Sequence, residues 1–118
     1  MESGDDPIST GQETRDAGTL EIVEGGKSTV HLVRLGDRLT VGTAPESSIV
    51  LTDPRVSPRH ASIERRGPGW LVRGLDSANP TWLLDATGRA HPIQGELGLR
   101  SGELLIGGAQ LRLHPPPP

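Results

Sequence analysis

Val41-Gly42-Thr43-Ala44-Pro45-Glu46-Ser47-Ser48-Ile49-Val50-Leu51 and, after Thr52, Asp53-Pro54-Arg55-Val56-Ser57-Pro58-Arg59-His60-Ala61-Ser62-Ile63 form the most informative stretch of this 118-residue chain. Short apolar groups here are separated by Pro, Gly, Ser and Asp, which is the punctuation of strands joined by turns. The same grammar continues on both sides. Leu20 and Ile22 flank Glu21, Val30 and Leu32 flank His31, and Leu39 and Val41 flank Thr40. Such alternation predicts strands with one buried face. Gly25-Gly26, Gly36-Asp37, Gly67-Pro68-Gly69, Thr87-Gly88 and Gly107-Gly108 predict turns. Strands are predicted near residues 19–23, 28–35, 38–42, 48–51, 61–66, 70–75, 81–85, 89–93, 103–106 and 109–113. So many short strands imply a sandwich or barrel, because a single open sheet would leave an apolar face wet.

Composition supports an all-β reading. Sixteen Gly and eleven Pro, without a repeat, argue for many tight turns and against long helices. Trp70 and Trp82 are the only aromatics, so Leu, Ile and Val must build the core. There is no cysteine, which excludes disulfides and thiolate metal sites and leaves packing and sheet hydrogen bonds to hold the fold.

Charge is divided unevenly. Residues 1–17 hold five acids (Glu2, Asp5, Asp6, Glu13, Asp16) against Arg15, whereas residues 18–118 carry ten acids and eleven bases. The acidic segment has no apolar period and is predicted to be a disordered tail, because burial cannot repay its ordering entropy. Residues 18–114 are predicted to be the folded domain, and 115–118, all proline, an extended tail or the start of a linker. The near-neutral domain lacks the clustered Lys and Arg that phosphate neutralisation needs, so direct nucleic-acid binding is not expected. No apolar run reaches the ~20 residues of a membrane span, and the first residues lack a signal-peptide pattern, so a soluble cytoplasmic chain without membrane association is expected.

The central stretch is followed by Trp70, by Leu75-Asp76-Ser77-Ala78-Asn79-Pro80-Thr81-Trp82 and by Leu99-Arg100-Ser101-Gly102-Glu103-Leu104-Leu105-Ile106-Gly107. In this order and at these separations the pieces resemble the forkhead-associated (FHA) family. Its pattern is a Gly-Arg turn, an acid-rich loop, a Ser-x-x-His element, a Trp-bearing strand, a Ser-x-Asn-Gly-Thr loop and a late Gly-Asp-x-Ile-x-Ile-Gly hairpin. The resemblance covers roughly residues 19–114. It implies a sandwich of two antiparallel sheets whose loops at one end grip a phosphothreonine in an extended peptide.

Residue by residue, the resemblance places Thr43, Ser57, Arg59, Ala78 and Asn79 at the phosphopeptide, with Gly42, His60 and Thr81 supporting the binding loops. Ser57 stands where a serine hydroxyl contacts phosphate, against the plainer reading of a loop-capping serine. His60 stands where a histidine orders the loops through hydrogen bonds, and Asn79 where an asparagine holds the peptide backbone or stabilises its own turn. Three positions depart from the pattern. Thr43 replaces an arginine, Pro58 follows Ser57 and lacks a backbone N–H, and Pro80 replaces a glycine. These departures imply weakened phosphate binding, which Arg59 or Arg55 would offset by turning toward the phosphate. The implied partner is a phosphothreonine-containing protein, with a serine/threonine kinase upstream, in bacterial signalling or transcription regulation. Domains of this family with Gly-Thr at the turn resemble those fused to bacterial enhancer-binding transcription activators. The alternative is a degenerate FHA domain that binds unphosphorylated protein or itself.

Catalysis is disfavoured by the residues themselves. His31, His60, His91 and His114 stand far apart without a nucleophile motif or a paired-histidine metal spacing, so no catalytic residue, metal or cofactor is expected. His91 and His114 precede prolines and are expected at strand ends. Asp53, Asp76 and Asp85 lie beside turn residues, where aspartate serves local hydrogen bonds.

Overall fold

A computed structural model describes residues 17–116. The domain is built entirely of strands: β1 (Gly18–Glu24), β2 (Lys27–Val33), β3 (Arg38–Gly42), β4 (Ile49–Val50), β5 (Ala61–Arg66), β6 (Gly69–Gly74), β7 (Trp82–Leu84), β8 (Ala90–Pro92), β9 (Glu96–Leu99), β10 (Gly102–Ile106) and β11 (Ala109–His114). They form a six-stranded sheet in the order β2-β1-β11-β10-β7-β8 and a five-stranded sheet in the order β4-β3-β5-β6-β9. Pairing is antiparallel throughout except between β3 and β4, which run parallel. The second sheet is therefore mixed and not purely antiparallel. The six residues from Thr43 to Ser48 carry the chain out of β3 and back alongside it.

The core lies between the sheets. Leu20 and Ile22 of β1 and Leu104, Ile106, Leu111 and Leu113 of the β10–β11 hairpin face Val41, Ala61, Ile63, Trp70 and Val72 of the second sheet, all of them buried. The expected inward face of β1 and β3 is the observed one. Trp70 stacks with the buried Arg65, whose guanidinium carbon sits 5.4 Å from the ring centroid. Arg65 Nη1 donates to the carbonyls of Gly67 and Gly69, and its Nε to that of Val33, so the charged head is solvated by backbone at the end of the sandwich away from the candidate site.

Three local expectations change. First, β9 lies in a segment expected to be loop. It pairs with β6 from Trp70↔Leu99 to Arg73↔Glu96. Second, Val30 and Leu32 face solvent, each 62% exposed. The two-residue Gly25-Gly26 turn, with φ of 59° and 80°, fixes Glu24 opposite Lys27, and this parity sets Thr29 beside Ile22 and His31 beside Leu20 on the inner side, where both are also exposed and only Val33 of β2 is buried. Third, His91 sits in the middle of β8, not at an end, and its Nε2 lies 2.8 Å from Asp85 Oδ2. At the start of the domain Ala17 is only 3% exposed and belongs to the buried interior, while residues 1–16 of the expected tail lie outside the described residues. Of the proline tail, 117–118 also lie outside them. Among the described residues no helix is long and apolar enough to cross a membrane.

Candidate functional site

Three loops meet at one end of the sandwich: β3–β4 (residues 43–48), β4–β5 (51–60) and β6–β7 (75–81). What brings the first two together is the absence of a side chain at Gly42. A Cβ there would stand 2.0 Å from the carbonyl oxygen of Pro58, so only glycine admits the approach. The approach is used at once. Thr43 N–H donates to Ser57 O at 3.1 Å and Ala44 N–H to Pro58 O at 3.2 Å.

His60 ties all three. Its backbone N–H donates to Val41 O and its carbonyl accepts from Leu75 N–H. Its ring Nδ1 accepts the Ser57 N–H at 3.1 Å, which leaves the proton on Nε2, and that nitrogen donates to Pro80 O at 3.4 Å. The tautomer is thus set by the backbone on either side of it. Burial pushes the His60 pKa below the ordinary histidine value, outweighing the opposite effect of the bond to Pro80. A neutral, fully buried imidazole is a strut and not a proton donor to substrate.

The third loop is bound to the second by two further contacts. Ala78 N–H donates to Ser57 Oγ at 3.0 Å, and Asn79 Nδ2 donates to Arg55 O at 3.0 Å. Ser57 and Asn79 therefore lie side by side. Because the Ser57 oxygen is occupied as an acceptor, its single O–H proton stays available for an anionic oxygen. Asn79 is exposed and keeps its amide oxygen and one N–H for an extended chain. Thr43 Oγ1 points inward instead, 3.5 Å from Val56 O. Pro80 takes its place with a trans peptide bond, and no residue other than glycine has a positive φ among those described. Thr81 is buried at 2% exposure and holds the loop's exit through its carbonyl, which accepts from Ile93 N–H, while its hydroxyl finds no partner among the described residues.

A clamp beneath the loops escaped the sequence reading. The Glu24 carboxylate accepts from Thr52 N–H, Thr52 Oγ1 and Asp53 N–H. Asp53 in turn accepts from Arg55 N–H, Arg55 Nε and Nη2, and Gly108 N–H. The Arg55 side chain, first among these, holds the Asp53 carboxyl well below the usual carboxylate range. Arg55 is accordingly engaged with Asp53 and does not turn toward Ser57. Arg59 is exposed and forms no ion pair with any described residue, which makes it the uncommitted cation of this loop. The Asp-x-Arg spacing was the available signal, but nothing local tells that Gly108, in the β10–β11 turn, completes the ring.

The family model for the FHA domain matches residues 39–105, more than half of the chain and all three loops. The chain belongs to the FHA family. FHA domain-containing protein FhaB of Mycobacterium tuberculosis is 35% identical over 72 residues, covering 61% of this chain and 46% of that protein. The chain thus spans about half the length of the curated relatives it matches. Among solved structures, the FHA domain of CT664 from Chlamydia trachomatis superposes with a TM-score of 0.72 at 24% identity, covering 83% of this chain and 96% of that one. An FHA domain solved in a structural and functional analysis of phosphothreonine-dependent FHA domain interactions gives 0.69 at 25% identity, covering 86% and 99%. FHA domains are interaction modules, and this one carries the FHA sandwich with its loops gathered at one end.

Proposed function

We propose that this chain is a phosphothreonine-dependent protein–protein interaction module of bacterial signalling or transcription regulation, acting in the cytoplasm on targets of a serine/threonine kinase. The observation that carries the reading is the joining of two loops through Ser57 and Asn79, which leaves the Ser57 hydroxyl proton and the free edge of the Asn79 amide unused by the fold, with the exposed Arg59 two residues on from Ser57 in the same loop. A phosphate set against Ser57 and Arg59 receives a hydroxyl donor and a cation, and Asn79 and the neighbouring Ala78 hold the peptide backbone across the loop. The relationship to an FHA domain studied for phosphothreonine-dependent interactions supports the same chemistry.

Phosphate binding is weakened here relative to a domain with an arginine at position 43. A charged hydrogen bond is worth about 1.5–3 kcal/mol, so its loss costs about ten- to a hundredfold in affinity. Pro58 removes one more donor, its ring having no N–H. The inward turn of Thr43 Oγ1 favours, as second reading, recognition of an unphosphorylated segment by the same loops.

Titration with matched threonine and phosphothreonine peptides, followed by NMR shifts of the Thr43, Ser57 and Asn79 amides, separates the two. Phosphate-dependent perturbation is expected, lost in Ser57→Ala and reduced in Arg59→Ala. Equal response to both peptides would replace the first reading by the second.

A further inference from the structure

Among the described residues four strand edges border the two sheets, and three of them are blunted. β4 has two residues, β8 has three and ends in Pro92, and β9 has four, including Gly98. Short edges, proline and glycine are devices that prevent another strand from adding. β2 has none of them. It runs for seven residues without proline, glycine or bulge, and its one full charge, Lys27, stands at the end.

Which of its backbone groups are free follows from the turn. The two-residue Gly25-Gly26 hairpin makes Glu24 and Lys27 a hydrogen-bonded pair, so Lys27, Thr29, His31 and Val33 spend their N–H and C=O groups on β1. Those of Ser28, Val30 and Leu32 point outward along the open edge. The same three side chains lie on the outer face of the sheet, and two of them are the 62%-exposed Val30 and Leu32.

We propose that β2 is the contact through which two copies of this chain associate, pairing antiparallel about a two-fold axis at Val30. In that register Val30 faces its own counterpart and Ser28 faces Leu32 of the other copy. Every free N–H and C=O of the edge is then matched, giving about six new backbone hydrogen bonds. A one-residue slip leaves groups unmatched at both ends, which is why the self-complementary register is singled out. On the outer face the two valines meet and each leucine packs diagonally on the opposite valine, covering apolar surface that is otherwise wet. A second copy is the occupant this edge suits, because in the two-fold register no charge meets a like charge: Ser28, Val30 and Leu32 are neutral, and Lys27, the strand's one full charge, faces Val33 of the other copy. The contact is smaller than the ~1,200 Å² of stable complexes, so association is expected at a Kd on the order of 100 μM. Antiparallel pairing sends the loop ends of the two copies in opposite directions, so a dimer presents two separate peptide sites. The inference does not depend on what those sites bind.

Engineered cysteines test the register, since the chain has none of its own. In the proposed dimer the Val30→Cys residues stand with Cα atoms about 5.5 Å apart, inside the roughly 4.4–6.8 Å range of disulfides. Those of Ser28→Cys stand about 14 Å apart. Oxidation of the full chain at 200 μM should cross-link Val30→Cys at least tenfold faster than Ser28→Cys. Sedimentation velocity from 20 μM to 1 mM should show the native chain rising toward twice its monomer mass and Val30→Lys remaining a monomer with an unchanged melting temperature. A native chain that stays monomeric to 1 mM, equal cross-linking of the two cysteine variants, or undiminished association of Val30→Lys would each overturn the proposal.

Discussion

Lowering the pH from 7.0 to 5.5 should loosen the three loops gathered around His60. In the folded chain its Nδ1 must be unprotonated to accept the Ser57 N–H, and burial holds its pKa below the ordinary value of about 6.5. The unfolded chain protonates near 6.5, so below that pH it binds more protons than the folded one. Stability is therefore full above about 6.5 and falls as the pH falls beneath it. The slope is at most about 1.4 kcal/mol per pH unit, which amounts to about 1 kcal/mol between pH 7.0 and 5.5. For a domain of this size that corresponds to a fall of about 4–8 °C in melting temperature. Asp53 and Asp85 are both held well below the usual carboxylate range and keep their charge throughout this window. The assay is thermal unfolding of the native chain and of His60→Gln at half-unit steps of pH, with the Ser57 amide shift of the folded protein followed in parallel. His60→Gln should be less stable at pH 7.0 by about 2–4 kcal/mol, from one or two lost hydrogen bonds and the poorer filling of a fully buried site. Its stability should lose the component that depends on pH around 6. A difference between the two proteins that stays constant across the range would refute the assignment of the histidine as a neutral strut.

Other consequences of the same geometry are open to measurement. Thr43→Arg should raise affinity for a phosphothreonine peptide about tenfold or more, read by calorimetry, since it restores a charge-assisted contact; unchanged affinity would place the phosphate elsewhere. Gly42→Ala should destabilise by about 1–3 kcal/mol and shift the Thr43 and Ser57 amides, because its Cβ must push Pro58 away; denaturant unfolding and amide spectra report both. Asp53→Asn should release Arg55 and speed hydrogen exchange at Arg55 and Gly108 while leaving β5 and β6 protected. Trp70→Ala should cost about 3–5 kcal/mol in urea unfolding, as it empties a buried site and removes the surface on which Arg65 stacks.

Much of the fold was legible because it is written locally. Ten of the eleven strands follow from alternation bounded by turn residues, and the five glycine turns are where the residue pairs put them. β9 was not legible because its stability is not local. Glu96-Leu97-Gly98-Leu99 has little strand propensity of its own and is held by its ladder to β6 and by Leu99 packing on the core. The facing of β2 was misread for a related reason. Alternation predicts one buried face, but in this edge strand neither is buried: the turn parity sets Val30 and Leu32 outward, and Thr29 and His31 on the inner side are exposed as well. At the site, the motif spacing pointed to Gly42, Ser57, His60 and Asn79, and the structure gathers these residues into one set of contacts. The commitment of Arg55 to Asp53 was hidden because its ring closes through Gly108, fifty-five residues away.

The β1–β2 hairpin connects the two surfaces. Its last residue before the turn, Glu24, accepts the amides of Thr52 and Asp53 and so anchors the loop that carries Ser57. The turn that follows is too short to allow any other parity, and it is this parity that turns Val30 and Leu32 outward along the unblunted edge. A longer turn would relax both constraints together. The Glu24 carboxylate would lose its fixed place under the loop, and Val30 and Leu32 would no longer be held on the outer side of the sheet. Two glycines, with the left-handed backbone that they adopt, thus set the support of the loop that carries Ser57 and the character of the edge alongside it.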